Sequence, residues 1–137
     1  MKKESSRKSA AGRGVPAQVM RAVAAARDRL AADLVVLDLR PAHAFTDFFV
    51  ICSGQTARQV RAIADAVQLS LEQVPVKPAH VEGYDRADWV LLDYFDFIVH
   101  VFNPETRAFY GLERLWGNAE RVDLPDEERP GDARGGG

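Results

Sequence analysis

The sequence predicts an α+β domain in which helices flank one mixed β-sheet. Two observations lead to this class. Apolar residues recur at three- and four-residue spacing in three segments, which is the period of an α-helix. Between these segments stand two pairs of short runs rich in β-branched and aromatic residues, which are typical of strands. The order is helix, two strands, helix, a further short strand, two strands and helix, and it indicates helices packed against a single sheet.

The first helix is predicted to run from Pro16 to Ala32. Proline suits the first turn of a helix, because the N–H that it lacks has no partner there anyway. One apolar stripe follows along this segment and is formed by Val19, Val23, Ala26 and Leu30.

The strand runs come in two pairs. Residues 34–40 (LVVLDLR) and 48–53 (FFVICS) predict the first pair, which we interpret as a hairpin. Residues 89–94 (WVLLDY) and 97–103 (FIVHVFN) predict the second pair, which is joined by a tight turn.

The second helix lies between the two strand pairs, and the third follows them. Thr56 is the predicted N-cap of the second helix, since its hydroxyl can accept a backbone N–H of the first turn. Its stripe is Val60, Ile63, Ala64, Val67 and Leu71. The third helix is predicted to start at Pro104 and to stop at Gly117, with Phe109, Leu112 and Trp116 on one stripe.

Charge divides the chain into a body and two tails. Residues 1–14 carry five Lys and Arg against Glu4, and residues 120–137 carry six acids against three Arg. Both segments hold too little apolar surface to offset the entropy of ordering, so we expect a disordered basic tail at 1–14 and a disordered acidic, Gly-rich tail at 120–137. The folded domain is expected at 15–119.

Composition restricts the classes of function. Cys52 is the single cysteine, and with His43, His80 and His100 it forms no spacing of a zinc site. That spacing predicts no metal, and we also expect no cofactor. No stretch reaches the length of a membrane span, so we expect a cytoplasmic protein. The body has ten basic and thirteen acidic residues. That balance favours a basic protein partner over sequence-specific nucleic acid.

Three segments resemble the ribosomal silencing factor family (RsfS or Iojap-like). They are FTDFFVICSGQTARQVRAIADAV at 45–67, EGYDRADWVLLDYFDFIVHVFNPETRAFYGLERLWG at 82–117 and, more weakly, DLVVLDLR at 33–40. The most specific part is DWVLLDY, then IVHVF, then R-x-x-Y-x-L-E-x-L-W. The chain departs from the pattern at Phe95, where many members carry Gly.

The resemblance implies a protein that is not an enzyme. Members of the family bind large-subunit ribosomal protein fourteen on the face that meets the small subunit. They keep the subunits apart when nutrients are short and so repress translation. Their topology is similar to that of nucleotidyltransferases without the catalytic residues. The sequence leaves undecided whether the chain forms a homodimer when it is not bound to the ribosome.

The candidate partner-binding residues lie on the last two strands and the last helix. By alternation Trp89, Leu91 and Asp93 share one strand face, and Tyr94 belongs to the other. Trp89 is either core or an aromatic anchor of the interface, which are both common places for tryptophan. The full set is Trp89, Leu91, Asp93, Tyr94, His100, Arg107, Tyr110, Leu112, Glu113 and Trp116.

Two enzyme-like features have simpler interpretations. His100 stands alone in an apolar strand and is expected to be a hydrogen-bonded structural residue. Asp47 is interpreted as a structural or binding residue rather than an acid catalyst. A nucleotidyltransferase would need paired carboxylates for metal ions, and no Asp-x-Asp follows the loop at Ser53–Arg58. A nucleic-acid-binding module, using the basic N-terminal segment, is the second alternative.

Overall fold

The computed structural model describes residues 14–74, 78 and 80–124. In this part of the chain the helices are α1 (Ala17–Asp28), α2 (Ala57–Glu72), α3 (Pro104–Tyr110) and α4 (Leu112–Leu115), with a short 3-10 helix at Arg40–Ala42. The strands are β1 (Ala32–Asp38), β2 (Phe48–Ser53), β3 (His80–Glu82), β4 (Trp89–Asp93), β5 (Phe97–Phe102) and β6 (Glu120–Arg121). No helix in these ranges is both long and apolar enough to cross a bilayer.

The six strands form one sheet in the order β3-β4-β5-β2-β1-β6. The central strands β2 and β5 are parallel, and each of the other neighbouring pairs is antiparallel. The predicted α+β class, with a mixed sheet and flanking helices, is confirmed. The predicted hairpin of β1 and β2 is also present as an antiparallel pair.

Helices α1 and α2 cover one face of the sheet. Their stripes meet the inward side chains of the strands in the larger apolar core. The Thr56 hydroxyl accepts the N–H of Gln59 at 3.0 Å, which confirms the predicted N-cap of α2. The alternation predicted for β4 is present as well, because Val90 and Leu92 lie in this core.

The first helix is shorter than predicted and ends at Asp28. The Leu30 N–H donates to the Arg27 carbonyl and the Ala31 N–H donates to the Ala26 carbonyl, which together close the helix with Leu30 at φ +60°. The side chain of Leu30 is 75% exposed, so it is not part of the core stripe.

The opposite face of the sheet carries a smaller core. Phe49, Ile51, Ile98 and Phe102 lie at its centre. The helices that reach this face come from the segment after β5, where Leu112 and Trp116 pack against it. Since α3 and α4 are short, the strand β4 remains partly open to solvent along this side.

The predicted third helix is in fact two helices. Gly111, at φ +55°, ends α3, and its N–H donates to the Arg107 carbonyl at 2.9 Å. The bend separates Phe109 from Leu112 and Trp116, so these three do not form one stripe. Phe109 is 77% exposed instead. A glycine in the left-handed region is a common helix terminator, and here it acts six residues before Gly117.

The folded part reaches past the predicted boundary at residue 119. Glu120 and Arg121 pair with β1, and the Val122 N–H donates to the Val36 carbonyl at 2.8 Å. Val122 and Leu124 pack against the larger core. The expected acidic tail is therefore ordered over its first five residues. Its remainder from 125, and the expected basic tail through residue 13, lie outside the described residues.

The turn between β4 and β5 is tight and strained. Phe95, at φ +75°, lies between Tyr94 and Asp96, whose N–H donates back to the Tyr94 carbonyl at 2.9 Å. The Thr46 hydroxyl donates to the Phe95 carbonyl, and the Asp47 N–H donates to the Asp96 carbonyl. Thr46 and Asp47 therefore both hold this turn. A left-handed φ explains why a glycine suits this position.

Candidate protein-binding surface

Trp89 is the centre of an aromatic group on the open side of the sheet. Its ring stacks on Phe102 of the neighbouring strand, with 4.9 Å between centroids, and meets Tyr110 of α3 at the same distance. The Trp89 Nε1–H donates to Nδ1 of His100 at 3.0 Å. Three contacts from two elements therefore hold one half-buried indole in a defined orientation.

His100 supports this group from below. It is 3% exposed and its ring lies between Phe49 and Phe102, with centroid distances of 4.5 and 6.1 Å. Burial lowers the pKa of His100 to about 3, so the imidazole is neutral near pH 7. Its Nδ1 accepts from Trp89, which places the proton on Nε2. That buried atom has no hydrogen-bond partner among the described residues.

Exposed rings continue the group outward. Tyr110 is 48% exposed, and Phe109 packs edge-on against it at 5.0 Å. On the other flank, Trp116 and the exposed Phe45 each meet the Phe49 ring, at 5.9 and 6.2 Å. We call Phe45, Trp89, Phe109, Tyr110 and Trp116 the aromatic surface. Exposed aromatic side chains in contact with each other are typical of protein interfaces.

An acidic cleft of about 580 Å³ borders the aromatic surface. Its lining consists of Gly83, Arg86, Asp88, Trp89, Glu105, Thr106, Phe109 and Tyr110. Arg86 lies 3.3 Å from the Asp88 carboxylate. Glu105 is exposed and forms no hydrogen bond or ion pair within the described ranges. One unpaired carboxylate beside aromatic walls favours a cationic side chain in the cleft.

Arg107 and Glu113 are paired with each other instead of facing a partner. The Arg107 guanidinium donates to both carboxylate oxygens of Glu113, at 3.1 and 2.8 Å, and also to the Ser53 hydroxyl and the Asp33 carbonyl. Its side chain is only 11% exposed. These hydrogen bonds hold the pKa of Glu113 below its usual value. Their role is to fix the bend between α3 and α4.

The structure brings some of the predicted residues together and separates others. Trp89, Tyr110 and Trp116 belong to the aromatic surface, and the partly buried Leu91 and Leu112 lie beside them in the smaller core. His100 and Tyr94 are buried and are not available for contact. Tyr94 lies in the larger core on the other side of the sheet, where burial raises its pKa to about 12.

Asp93 also has a structural contact. Its carboxylate accepts the N–H of Phe95 at 2.8 Å and so caps the turn after β4. Sequence reasoning missed Phe45, Phe109 and Glu105 as surface residues. Gly111 was the available signal for Phe109, because a helix that ends there no longer carries Phe109 on one stripe with Leu112 and Trp116.

The residues weighed for enzyme chemistry lie apart. Asp47 contributes its backbone N–H to the turn after β4, and Thr56 caps α2. Within the described ranges, no three His, Cys, Asp or Glu side chains are grouped as a metal site would need. Cys52 is buried, which raises the pKa of its thiol to about 12.

Comparisons with known proteins identify relatives of this chain. The family described as "Ribosomal silencing factor during starvation" matches residues 13–135. "Ribosomal silencing factor RsfS" of Halalkalibacterium halodurans is 41% identical over 103 residues, covering 75% of this chain and 88% of that protein. "Mitochondrial assembly of ribosomal large subunit protein 1" of Mus musculus is 32% identical over 93 residues, covering 66% of this chain and 41% of that protein.

A solved structure supports the same assignment. A crystal structure of a protein from Chromobacterium violaceum superimposes with a TM-score of 0.71 at 30% identity, covering 82% of this chain and 90% of that one. Sequence and fold therefore agree, and the chain belongs to the ribosomal silencing factor family.

Proposed function

We propose that this chain binds the large ribosomal subunit through ribosomal protein fourteen, using the aromatic surface and its acidic cleft. By occupying the face that meets the small subunit, it prevents subunit joining and represses translation. The proposed site of action is the cytoplasm, and the proposal includes no catalytic step. The observation that carries it is a half-buried Trp89, oriented by His100 and continued by exposed rings.

The chemistry of the surface supports a basic protein as the partner. Proteins that bind ribosomal RNA are rich in Lys and Arg, because these residues neutralise phosphates. The acidic cleft offers Asp88 and Glu105 against the single cation Arg86. A Lys or Arg side chain of the partner would meet both a carboxylate and the face of an aromatic ring there. The mouse relative is also named for the large ribosomal subunit.

Size supports a steric mechanism. A folded chain of about 110 residues has a radius of gyration of roughly 13 Å. A body of this thickness on a contact face leaves no room for a second large particle at close range. The effect should therefore saturate at one protein per large subunit and should need no nucleotide hydrolysis.

The binding claim is tested with three single variants, Trp89→Ala, Phe109→Ala and Tyr110→Ala, in co-sedimentation with purified large subunits. Loss of an interface tryptophan should weaken binding by about two orders of magnitude, and loss of either exposed ring by about tenfold. Leu69→Ala is the matched control, because Leu69 is an exposed apolar residue on α2.

The exposed ring of Phe109 keeps this test clear of folding defects, since its removal opens no cavity. If all three variants are folded by circular dichroism and bind as tightly as Leu69→Ala, the aromatic surface is not the docking site.

The mechanism is tested separately by light scattering during subunit joining. Excess protein added to separated subunits should suppress their joining. Subunits that have already joined should stay together when the protein is added. Normal joining while large subunits are saturated with bound protein would refute the steric mechanism and leave the binding claim intact.

A further inference from the structure

A second cleft lies on the opposite side of α3 from the aromatic surface. Glu105, Thr106, Phe109 and Tyr110 line the acidic cleft, whereas Pro104, Arg107, Ala108 and the following Gly111 line the second one. Residues spaced in this way occupy opposite faces of one helix. The second cleft has a volume of about 530 Å³ and is completed by Asp33, Ser53, Glu113, Arg114 and Arg121. We call it the arginine cleft.

Cations outnumber anions in the arginine cleft. Arg107, Arg114 and Arg121 face Asp33 and Glu113. Glu113 is already neutralised by its two hydrogen bonds to Arg107. Arg114 and Arg121 are both exposed, and neither forms a hydrogen bond or an ion pair within the part of the chain that is described. The charge of Arg121 also acts on Glu113 and helps to lower the pKa of that carboxyl. Two guanidinium groups are thus available to an anion.

Gly111 allows this arrangement. The guanidinium of Arg114 lies directly over the Gly111 backbone, in the space that a side chain at this position would occupy. The same bend brings α4 back toward the end of β2, where the Ser53 hydroxyl is held by Arg107 at 2.8 Å. Because the Ser53 oxygen is the acceptor in this bond, its O–H can still donate a hydrogen bond at the inner end of the cleft.

We propose that the arginine cleft binds a phosphate group, and that on the ribosome this phosphate belongs to RNA of the large subunit. Arginine suits this ligand, because its planar fork matches two phosphate oxygens. The assignment to RNA rests on the proposed docking to the large subunit. Helix α3 would then carry a protein contact on one face and an RNA contact on the other.

The first experiment measures how binding to purified large subunits depends on salt. Each phosphate contact contributes a slope of about 0.9 to the fall of log K with log salt. The double variant Arg114→Gln with Arg121→Gln should lower the slope by about 1 to 2 relative to the unchanged chain. Raising the salt from 50 to 200 mM should therefore weaken binding of the unchanged chain about 4- to 16-fold more than binding of the variant.

The control variant carries Arg29→Gln and Arg58→Gln, which are two exposed arginines that do not line the cleft. It removes the same charge, so its slope should equal that of the unchanged chain. If the control lowers the slope as much as the double variant, the effect is one of general charge and the arginine cleft is not a phosphate site.

The second experiment needs no ribosome. Side-chain Nε–H signals of Arg114 and Arg121 are followed by NMR as inorganic phosphate, a nucleotide or a short RNA duplex is added. Both signals should shift, and the RNA should act at the lowest concentration. No shift with any probe overturns the proposal. If phosphate or a nucleotide shifts the signals but the double variant has the same salt slope as the unchanged chain, the assignment to RNA is overturned.

The two experiments also separate this proposal from the docking proposal. If the unchanged chain does not sediment with large subunits, the proposed function fails, and the NMR titration still decides whether the arginine cleft takes phosphate.

Discussion

The buried imidazole of His100 should make the protein less stable in mild acid, and the size of the effect follows from the structure. In an unfolded chain the pKa of histidine is about 6.5. In the folded protein burial lowers the pKa of His100 to about 3. Below pH 6.5 the unfolded state therefore binds a proton that the folded state does not. The contribution of the neutral His100 to the free energy of unfolding is therefore fully present above pH 6.5, and it is lost progressively as the pH decreases toward 3.

The two pKa values give the magnitude. Between pH 7 and pH 5 the free energy of unfolding should fall by about 2 kcal/mol through His100 alone. Protonation would also remove the acceptor of the Trp89 Nε1–H, since Nδ1 would become a donor. The loss would be steep for a domain whose total stability is of the order of 5–15 kcal/mol.

Urea unfolding at several pH values, for the unchanged chain and for His100→Gln, isolates the effect. Glutamine does not titrate, and its amide oxygen can accept from Trp89. The unchanged chain should lose about 2 kcal/mol more than the variant on going from pH 7 to pH 5. Equal losses would refute the argument. If the variant does not fold, an NMR titration of the unchanged chain tests the argument instead. The ring signals of His100 should not titrate above pH 4.

Two further predictions concern stability and are measured by urea unfolding at pH 7. Leu30→Gly should stabilise the protein by about 0.5–1 kcal/mol, because Leu30 is exposed at φ +60° and glycine adopts this conformation without a steric cost; a loss of stability would show that its side chain has a packing role. Arg107→Met should destabilise the protein by about 2–3 kcal/mol, because it leaves Glu113 and Ser53 without their shared partner. Glu113→Gln should cost less, since Arg107 retains its bonds to Ser53 and Asp33, and a larger cost for Glu113→Gln than for Arg107→Met would contradict this account.

Local signals were sufficient for the elements whose sequence and surroundings agree. Helix α2 combines a capping Thr56 with an uninterrupted apolar stripe, and its N-cap and stripe were both predicted. The bounds of β2 at 48–53 were predicted as well, because its apolar residues end sharply at Gly54. Alternation along β4 indicated which of its side chains face outward, since successive strand residues point to opposite faces.

Tertiary structure decided the features that depend on distant partners. His100 and Tyr94 were among the candidate contact residues, yet both are buried. For His100 the alternative expectation, a hydrogen-bonded structural residue in an apolar strand, agrees with its bond to Trp89. The parallel pairing of β2 with β5 joins strands separated by α2, β3 and β4, so it depends on how the whole sheet assembles.

The sequence by itself thus determined the fold class, the positions of the principal helices and strands, and the family of this protein. The tertiary structure alone decided the shape of the candidate surface. The bend at Gly111 is held by Arg107, which reaches Ser53 and Asp33 far earlier in the chain. The bend separates Leu112 and Trp116, which pack on the sheet, from Phe109, which is exposed. Gly111 is a local signal for the end of α3. The hydrogen bond from Arg107 to Ser53 that holds the bend spans more than fifty residues, and no local pattern predicts it.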